Sequence, residues 1–277
     1  MAKKALCIGI NNYPGTDMDL QGCVNDATDW AGVLAERGFK VASLLDDQAT
    51  KAAMLKAMGE LIAKASKGDT LVITFSGHGT YQPDTDGDEV DGLDEALCPY
   101  DLQTNGEALT DDEIRNLFLT RKSGVRIVLI SDSCHSGTVT RAAKAEKDAD
   151  SRPRFMPMGN WLPDKLLPRN RAGKVAATMT GPAGTTPFFG AYSNKLGDLL
   201  LSGCKEGPNN FSYDARIKGR FNGAFTYYAL KALKSMKPGA NYAEWHKAIA
   251  KYLPSASYPQ SPQIVGSATA RKGKIFE

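Results

Sequence analysis

Cysteine is scarce in this 277-residue sequence, and the way it is distributed argues against two classes of site. The five cysteines are odd in number and widely scattered, with no CxxC pair and no Cys/His spacing typical of a zinc site. A disulfide framework and a structural zinc ion are therefore not expected. Unpaired, scattered cysteines predict a cytoplasmic protein with reduced thiols.

Long apolar runs and an excess of charge of one sign are also missing. No run approaches the roughly 18 apolar residues that a membrane span needs, and no cleavage site of a signal peptide follows the first apolar run. Lys and Arg number 34 and Asp and Glu 31, mixed along most of the chain, so the net charge of +3 leaves no electrostatic footprint for nucleic acid. We expect neither a membrane nor a nucleic-acid partner.

Short apolar runs alternate with amphipathic segments along most of the chain. Strands are predicted at 4–10, 39–45, 69–76, 125–131, 197–204 and 261–267, and helices at 22–37, 50–65, 109–119, 223–235 and 242–253. Continuously apolar strands separated by helices are typical of a sheet that is covered on both faces. The sequence therefore predicts an α/β fold with a mostly parallel central sheet of about six strands and helices on both faces.

Two regions depart from this alternation. Residues 80–108 contain a concentrated acidic loop, and residues 138–190 are rich in basic residues, Pro and Gly without a sustained period. We predict a larger catalytic half at 1–137, a basic irregular loop and processing region at 138–190, and a smaller half at 191–277 that completes the same sheet.

Two predicted strands end in turn-forming sequences that carry reactive side chains: "ITFSGHG" contains His78 and "VLISDSCHSG" contains Cys134. Because ligands bind at the carboxyl ends of parallel strands, we expect a nucleophile–base pair there, with Cys134 attacking and His78 acting as base and then acid. The backbone N–H groups of Gly79 and Cys134 are candidates for an oxyanion hole. Taken singly, Cys134 could be a small buried residue and His78 a hydrogen-bonded loop histidine.

Other candidate residues near this motif fit catalysis less well. His135 follows Cys134 directly, and adjacent residues at a strand end tend to point apart, so it is a poor base for that thiol. His246, on a late helix, is predicted to be a surface or packing histidine. Ser133 and Ser136 lack the GxSxG arrangement of a serine hydrolase.

The sequence resembles the metacaspase branch of the caspase-like cysteine peptidases, in its prokaryotic form. The resemblance covers most of the chain and rests on "SGHG", "DSCHSG", "ALCIGINNYP", "GCVNDA", and "LLSGCKEG" with "GRFNGAFTYYAL". His78 lies 56 residues before Cys134, near the offset of about 50 found in caspase-type enzymes. The "QACRG" pattern of animal caspases is absent. The resemblance implies a caspase-like fold and an endopeptidase with a Cys-His dyad.

The resemblance also implies a substrate pocket. Asp26 and Asp132 would form the acidic pair of the S1 pocket, which Cys23 and Ser76 would line. Two carboxylates would select protein or peptide substrates with Arg or Lys at P1 and reject Asp. From the sequence alone, Asp26 could instead be an exposed helix residue or part of a helix cap, and Asp132 a hydrogen-bond acceptor in a turn.

Calcium activation is a further implication, although the Cys-His chemistry itself requires no cofactor. Many family members bind Ca²⁺ near an acidic pair such as Asp111–Asp112 and in the loop after the histidine, where Asp91 and Asp94 lie. Arg141 stands where many calcium-dependent members carry Asp, which disfavours the ion. The alternative is a solvated acidic loop.

If P1 is basic, the basic residues of the 138–190 loop are candidates for self-cleavage, with a solvated loop as the alternative. They are Arg141, Lys144, Lys147, Arg152, Arg154, Lys165, Arg169, Arg171 and Lys174. The resemblance favours a monomer. Two other readings stay open, a catalytically silent caspase-fold binding module and a related cysteine hydrolase with non-peptide substrates.

Overall fold

The computed structural model describes residues 1–84, 93–134, 150–167, 198–205 and 211–277. The strands are β1 (Lys3–Gly9), β2 (Lys40–Leu45), β3 (Thr70–Ser76), β4 (Gly79–Pro83), β5 (Leu93–Leu97), β6 (Leu109–Thr110), β7 (Arg126–Asp132), β8 (Ser151–Pro153), β9 (Leu199–Ser202), β10 (Tyr213–Ile217), β11 (Arg220–Gly223) and β12 (Gln263–Val265). The helices are α1 (Cys23–Glu36), α2 (Lys51–Ala63), α3 (Leu102–Asn105), α4 (Asp111–Leu119), α5 (Ala224–Lys234), α6 (Tyr242–Ile249) and α7 (Ala268–Arg271).

Six strands form the central sheet in the order β12-β9-β7-β3-β1-β2. Every neighbouring pair is parallel except β12 and β9, which are antiparallel. The innermost strands are buried nearly throughout, which explains why they appear in the sequence as continuous apolar runs without alternation. The prediction of a mostly parallel sheet of about six strands is confirmed.

Helices cover both faces of this sheet, as predicted. On one face, Met54 and Met58 of α2 and Phe118 of α4 pack in a core with inward side chains of the strands. On the other face, Trp30 of α1 and Trp245 of α6 lie in a second core, with ring centroids 6.0 Å apart. None of the helices in the described ranges is long and apolar enough to cross a membrane.

Two small antiparallel sheets flank the central one. The first has the order β4-β5-β6 and takes up part of the region predicted as an acidic loop. The second has the order β11-β10-β8, and β8 lies within the region predicted as irregular. Ser151–Pro153 gives no periodic signal because it is only three residues long and owes its strand geometry to pairing with β10.

The register of β3 and β7 decides where the reactive residues lie. Ser76 at the end of β3 is paired with Asp132 at the end of β7. His78 and Cys134 therefore leave the sheet at the same edge, each two residues beyond that pair. The start of α1 lies nearby, where the Asn11 side chain accepts hydrogen bonds from the backbone N–H groups of Cys23 and Val24.

Candidate active site

His78 is buried and held by its backbone and by one ring nitrogen. Its backbone N–H donates to the Tyr13 hydroxyl at 2.8 Å, and a Cβ on the preceding Gly77 would lie 2.7 Å from that hydroxyl. The ring Nε2 lies 2.6 Å from the Met18 carbonyl oxygen. Because a carbonyl can only accept, Nε2 carries the proton and Nδ1 has a free lone pair.

The electrostatic setting of His78 favours this neutral form. Burial lowers its pKa, the Met18 carbonyl opposes this shift and the positive charge of Arg154 adds to it, so the pKa is about 4. Nδ1 is buried and makes no hydrogen bond to the described part of the chain. The nearby Arg154 backbone raises the pKa of His78, but by less than burial lowers it. At neutral pH, His78 therefore presents a basic nitrogen.

The two backbone donors predicted to form an oxyanion hole converge on one oxygen atom. Gly79 N–H and Cys134 N–H each donate to the carbonyl oxygen of Arg154, both at 3.1 Å. Gly79 follows β3 and Cys134 follows β7, and the pairing of these two strands brings the donors to the same edge of the sheet. The arrangement has the donor count and distance that stabilise a developing oxyanion.

The side chain of Arg154 enters a pocket lined by carboxylates and is fully buried. Its Nη2 lies 2.7 Å from Asp26 Oδ2 and 2.9 Å from Asp214 Oδ1, and its Nη1 lies 3.4 Å from Asp132 Oδ2. Nη1 also donates to the Asp132 carbonyl oxygen at 3.2 Å. Asp26, Asp132 and Asp214 together are what we call the acidic pocket.

Each carboxylate of the acidic pocket is oriented by further donors. Asp26, in the first turn of α1, accepts from the Gly223 N–H and the Asn222 amide, at 3.0 Å each. Asp132 accepts from the N–H and hydroxyl of Thr226 and from the Ser212 hydroxyl. Asp214 accepts from the N–H groups of residues 21 and 22 at 2.8 and 2.9 Å. Such donors orient the carboxylates around the guanidinium of Arg154.

Gly223, which directly precedes α5, has no side chain and so leaves room for the guanidinium of Arg154. A Cβ at Gly223 would overlap the Asp132 carboxylate and come within 2.5 Å of Arg154 Nη1. Gly203 is similar, since a Cβ there would lie 2.7 Å from the Ser212 hydroxyl oxygen. Glycine at these positions is a requirement of the close approach between backbone and pocket.

The acidic pocket holds more negative than positive charge. Burial raises the pKa of Asp26, Arg154 opposes this shift and the neighbouring Asp132 adds to it, so the pKa is about 7. The guanidinium of Arg154 offsets the repulsion between the three carboxylates. The alternative that Asp26 is an exposed helix residue is wrong, because the residue is buried.

The other two residues predicted for this pocket differ in their relation to it. The Cys23 thiol is buried, which raises its pKa well above the ordinary value, while the charge of Arg154 lowers it and the three carboxylates raise it. The Cys23 thiol is therefore close enough to the acidic pocket for the charges there to affect its pKa. Ser76 is buried at the end of β3, and in the described ranges no hydrogen bond joins it to Arg154.

Two residues that complete the pocket were not predicted there. Asp214 lies in β10, a strand that the sequence does not predict, so no local signal identified it. Arg154 was predicted as one of nine basic loop residues with nothing to distinguish it. Its distinction comes from tertiary contacts alone.

A second thiol lies beside Cys134. The pKa of Cys204 is raised well above its ordinary value by a hydrogen bond with the Cys134 side chain, and further by burial. The Cys204 thiol also donates to the Ser133 carbonyl oxygen at 3.4 Å. Cys204 therefore contacts both the Ser133 backbone and the Cys134 side chain.

Three of the four residues predicted to bind calcium lie in the described ranges. Asp112 pairs with Arg115, Asp111 begins α4, and Asp94 is buried in β5, while Asp91 falls outside the described residues. Within the described ranges, no group of three or more His, Cys, Asp or Glu side chains could hold a metal. The calcium site stays a prediction.

Several other predicted residues can be placed only in part. His135 and Arg141 lie outside the described residues, as do five of the other basic loop residues, namely Lys144, Lys147, Arg169, Arg171 and Lys174. His246 is half-buried on α6, with Nε2 2.9 Å from the Pro262 carbonyl oxygen. His246 thus makes a structural hydrogen bond to the residue that precedes β12.

Comparison with known proteins agrees with the fold and the sequence motifs. Residues 3–143 match the family model described as metacaspase, peptidase C14 domain. The chain is 31% identical to metacaspase-1B of Aspergillus oryzae over 95% of its own length and 67% of that protein. It is 33% identical to metacaspase-1A of Neurospora crassa, over 96% of this chain and 63% of that one. The chain thus spans about two thirds of these relatives.

Solved structures agree with this chain in fold. A Geobacter sulfurreducens protein of known crystal structure aligns with a TM-score of 0.72 and 32% identity, over 100% of this chain and 98% of that one. Caspase-1 from Spodoptera frugiperda aligns with a TM-score of 0.53 at 12% identity, over 95% of this chain and 86% of that one, which shows a shared fold. By family model, identity to curated relatives and fold, the chain belongs to the metacaspase family of caspase-like cysteine peptidases.

Proposed function

We propose that this chain is a cysteine endopeptidase that cleaves peptide bonds after Arg or Lys, with Cys134 as nucleophile and His78 as base and acid. One observation carries the proposal. The guanidinium of Arg154 contacts Asp26, Asp132 and Asp214. The carbonyl oxygen of the same residue accepts hydrogen bonds from the N–H groups of Gly79 and Cys134. A basic P1 residue in the acidic pocket is thereby in register with the predicted nucleophile.

The proposed chemistry follows from the protonation state of His78. Its free Nδ1 accepts the Cys134 thiol proton, and the thiolate attacks the P1 carbonyl carbon. The N–H groups of Gly79 and Cys134 stabilise the resulting oxyanion. His78 then protonates the leaving amine, and water hydrolyses the thioester to release the carboxylate and restore the thiol.

The acidic pocket also predicts a rank order of P1 residues. An Asp at P1 would bring a fourth carboxylate beside Asp26, Asp132 and Asp214, with no cation to offset the repulsion. The carboxylates contact both terminal nitrogens of the guanidinium, a fork geometry that an ammonium cannot reproduce. Arg is therefore expected to exceed Lys, and Lys to exceed Asp or a neutral residue.

Fluorogenic peptides with Arg, Lys, Leu or Asp at P1, assayed with and without Ca²⁺, test this function. We expect kcat/KM to be at least about 100-fold higher for Arg than for Asp, because unpaired buried charge costs several kcal/mol. Cys134→Ala should abolish turnover. Dependence on Ca²⁺ would support the calcium site.

A matched variant separates pocket function from folding. Asp132→Asn should reduce Arg cleavage far more than it reduces the rate of alkylation by iodoacetamide, a small neutral thiol reagent. Equal loss of both would indicate a structural role for Asp132. Efficient cleavage after Asp, or turnover by Cys134→Ala, would contradict the proposal, and a wholly inactive protein would favour a silent caspase-fold binding module.

A further inference from the structure

We infer that residues Ser151–Met156, which we call the inserted segment, lie in the active-site cleft as the chain's own first substrate. The Arg154–Phe155 peptide bond is then the first bond cut, and the acidic pocket opens to other substrates only after Arg154 leaves. The inference rests on the proposed function, because it assigns the first substrate and the regulation of that same site.

The residues before Arg154 are held as an added β-strand. Ser151–Pro153 pairs with β10 in antiparallel register, with Tyr213 opposite Pro153 and Ala215 opposite Ser151. The Arg154 N–H continues this ladder by donating to the Ser212 carbonyl oxygen at 2.8 Å. Addition of an extended strand to a sheet edge is a recurrent mode of peptide recognition, in which the backbone supplies affinity and one side chain supplies specificity.

At Arg154, the side chain and the carbonyl group occupy two separate binding sites at once. The side chain is in the acidic pocket, and the carbonyl oxygen accepts from Gly79 and Cys134 at 3.1 Å each. A purely structural arginine would need only the ion pairs. The convergence of both oxyanion donors on its carbonyl places the Arg154 carbonyl carbon as the electrophile.

The residues after Arg154 are held as firmly as those before it. Met156 N–H donates to the Gly79 carbonyl at 2.8 Å, and the Thr80 hydroxyl donates to the Met156 carbonyl at 2.7 Å. The Phe155 ring is buried and stacks on Tyr81 with ring centroids 5.6 Å apart. The chain is therefore fixed on both sides of the Arg154–Phe155 bond, as a cleavage reaction requires.

The other basic residues of the described part of this loop are placed differently. Arg152 is half-buried, and its side chain donates to the Asp19 carbonyl rather than to a carboxylate of the pocket. Lys165 is exposed in a short 3-10 helix. Within the described ranges, the geometry thus selects Arg154 from the basic candidates.

The proposed reaction balances within the chain and one water molecule. The Cys134 thiolate forms a bond to the Arg154 carbonyl carbon, and the bond to Phe155 nitrogen breaks as His78 gives the proton from the thiol to that nitrogen. Water then hydrolyses the thioester, which leaves a carboxylate on Arg154, an amine on Phe155 and a free thiol on Cys134. The new carboxylate carries negative charge beside the acidic pocket, which favours departure of Arg154.

Intact-mass measurement over time tests the inference on the purified full-length chain, in the presence and absence of Ca²⁺. We expect fragments that end at Arg154 and begin at Phe155, formed at a first-order rate independent of protein concentration. Cys134→Ala should stay whole. Arg154→Gln should slow the cut at this bond at least 100-fold, Arg154→Lys should still be cut, and the control Lys165→Gln, at an exposed basic residue outside the inserted segment, should be cut within threefold of the wild-type rate.

Peptide hydrolysis in the same samples separates this inference from the proposed function. Wild-type chain should show a lag in hydrolysis of an Arg peptide that matches the appearance of the fragments. Three results would overturn the inference and leave the function standing. They are peptide hydrolysis by the intact chain without a lag, a first cut at another bond, and a rate of self-cleavage that rises with protein concentration. Failure of wild type, Arg154→Lys and Arg154→Gln alike to hydrolyse any basic peptide would instead overturn the function.

Discussion

At the residue scale, substitution of Asp214 is a direct test of what the acidic pocket contributes to catalysis. It contacts Arg154 Nη2 at 2.9 Å and is buried, so its charge has little access to water. Asp214→Asn should lower kcat/KM for an Arg peptide by about 100-fold, because losing one partner of a buried ion pair costs several kcal/mol. The steady-state rates of wild type and variant measure this.

An exposed carboxylate provides the matched control for Asp214. Glu60 pairs with Lys64 on the surface of α2, where an ion pair contributes little free energy. Glu60→Gln should leave kcat/KM within twofold of wild type. If Asp214→Asn also left it within twofold, with Arg still preferred over Leu at P1, the third carboxylate would have no part in specificity.

His78 predicts a pH dependence of stability. Its pKa is about 4 in the folded chain and about 6.5 for an unperturbed histidine, so between these values the unfolded chain binds more protons. The free energy of unfolding should therefore rise as pH increases from 4 to 6.5. This contribution, about 3 kcal/mol in total, is complete above pH 6.5 and is lost as pH falls towards 4.

Urea unfolding at several pH values measures the His78 contribution, in a Cys134→Ala background that prevents cleavage. The difference in unfolding free energy between this protein and its His78→Gln derivative should grow as pH rises from 4 to 6.5. Asp26, whose raised pKa gives the opposite slope between its ordinary value and about 7, is common to both proteins and cancels. A difference that is constant across this range would contradict a buried neutral His78.

The residues of the site differ in how far the sequence could predict them. His78 and Cys134 follow predicted strands and carry local motifs, and Asp26 and Asp132 lie within motifs shared with the family. Asp214 and Arg154 have no such local signal, because β10 and β8 are defined by pairing with each other. Residues that function through a long-range contact are visible only once the chain is folded.

At the element scale, the ladder between β8 and β10 and the edge of β4 define a cleft with two sides. Tyr81 of β4 stacks on Phe155, so the position after the cut bond lies on an aromatic surface. Tyr81→Ala should reduce kcat/KM about tenfold for quenched peptides with Arg-Phe at the scissile bond, because an aromatic pair contributes about 1 kcal/mol beyond its burial.

Two controls separate stacking from folding in the Tyr81 experiment. Tyr81→Phe keeps the ring and should retain the preference for Phe after the cut bond. Peptides with Arg-Ala at the scissile bond should be hydrolysed by Tyr81→Ala within twofold of the wild-type rate. Equal loss for Arg-Phe and Arg-Ala peptides would show that Tyr81 supports the cleft without selecting the residue that follows the cut.

At the scale of the whole molecule, the central sheet joins chain segments from both sides of Arg154. Strand β7 precedes the proposed cut and pairs in parallel with β9, which follows it. Asp26 of α1 likewise accepts hydrogen bonds from the backbone N–H of Gly223. After cleavage, the two fragments should therefore migrate as one species in native mass spectrometry and separate only in denaturant.

The outcome of that native experiment bears on how the cut regulates the enzyme. Fragments that remain together would retain peptide hydrolysis, since Cys134 and Asp26 precede the cut while Asp214 follows it. Rapid dissociation of the fragments in native buffer, with loss of hydrolysis, would contradict a sheet that survives cleavage.

The fold itself was largely predictable from the sequence because its central strands are buried on both faces. Continuous apolar runs such as 125–131 have few alternatives to a central parallel strand, and the helices between them are amphipathic. The two flanking sheets were not predicted, since strands as short as β6 and β8 depend on their partners rather than on their own composition.

The most direct test of the central claim uses two irreversible peptide fluoromethyl ketones that differ only in having Arg or Asp at P1. Tryptic mass mapping of the chain identifies which cysteine is alkylated. The account predicts that, in chain already cut after Arg154, the Arg reagent alkylates Cys134 at least about 100-fold faster than the Asp reagent, because a cation pairs with the carboxylates of the acidic pocket and an Asp does not. Alkylation of Cys204 in place of Cys134, or equal rates for the two reagents, would contradict it.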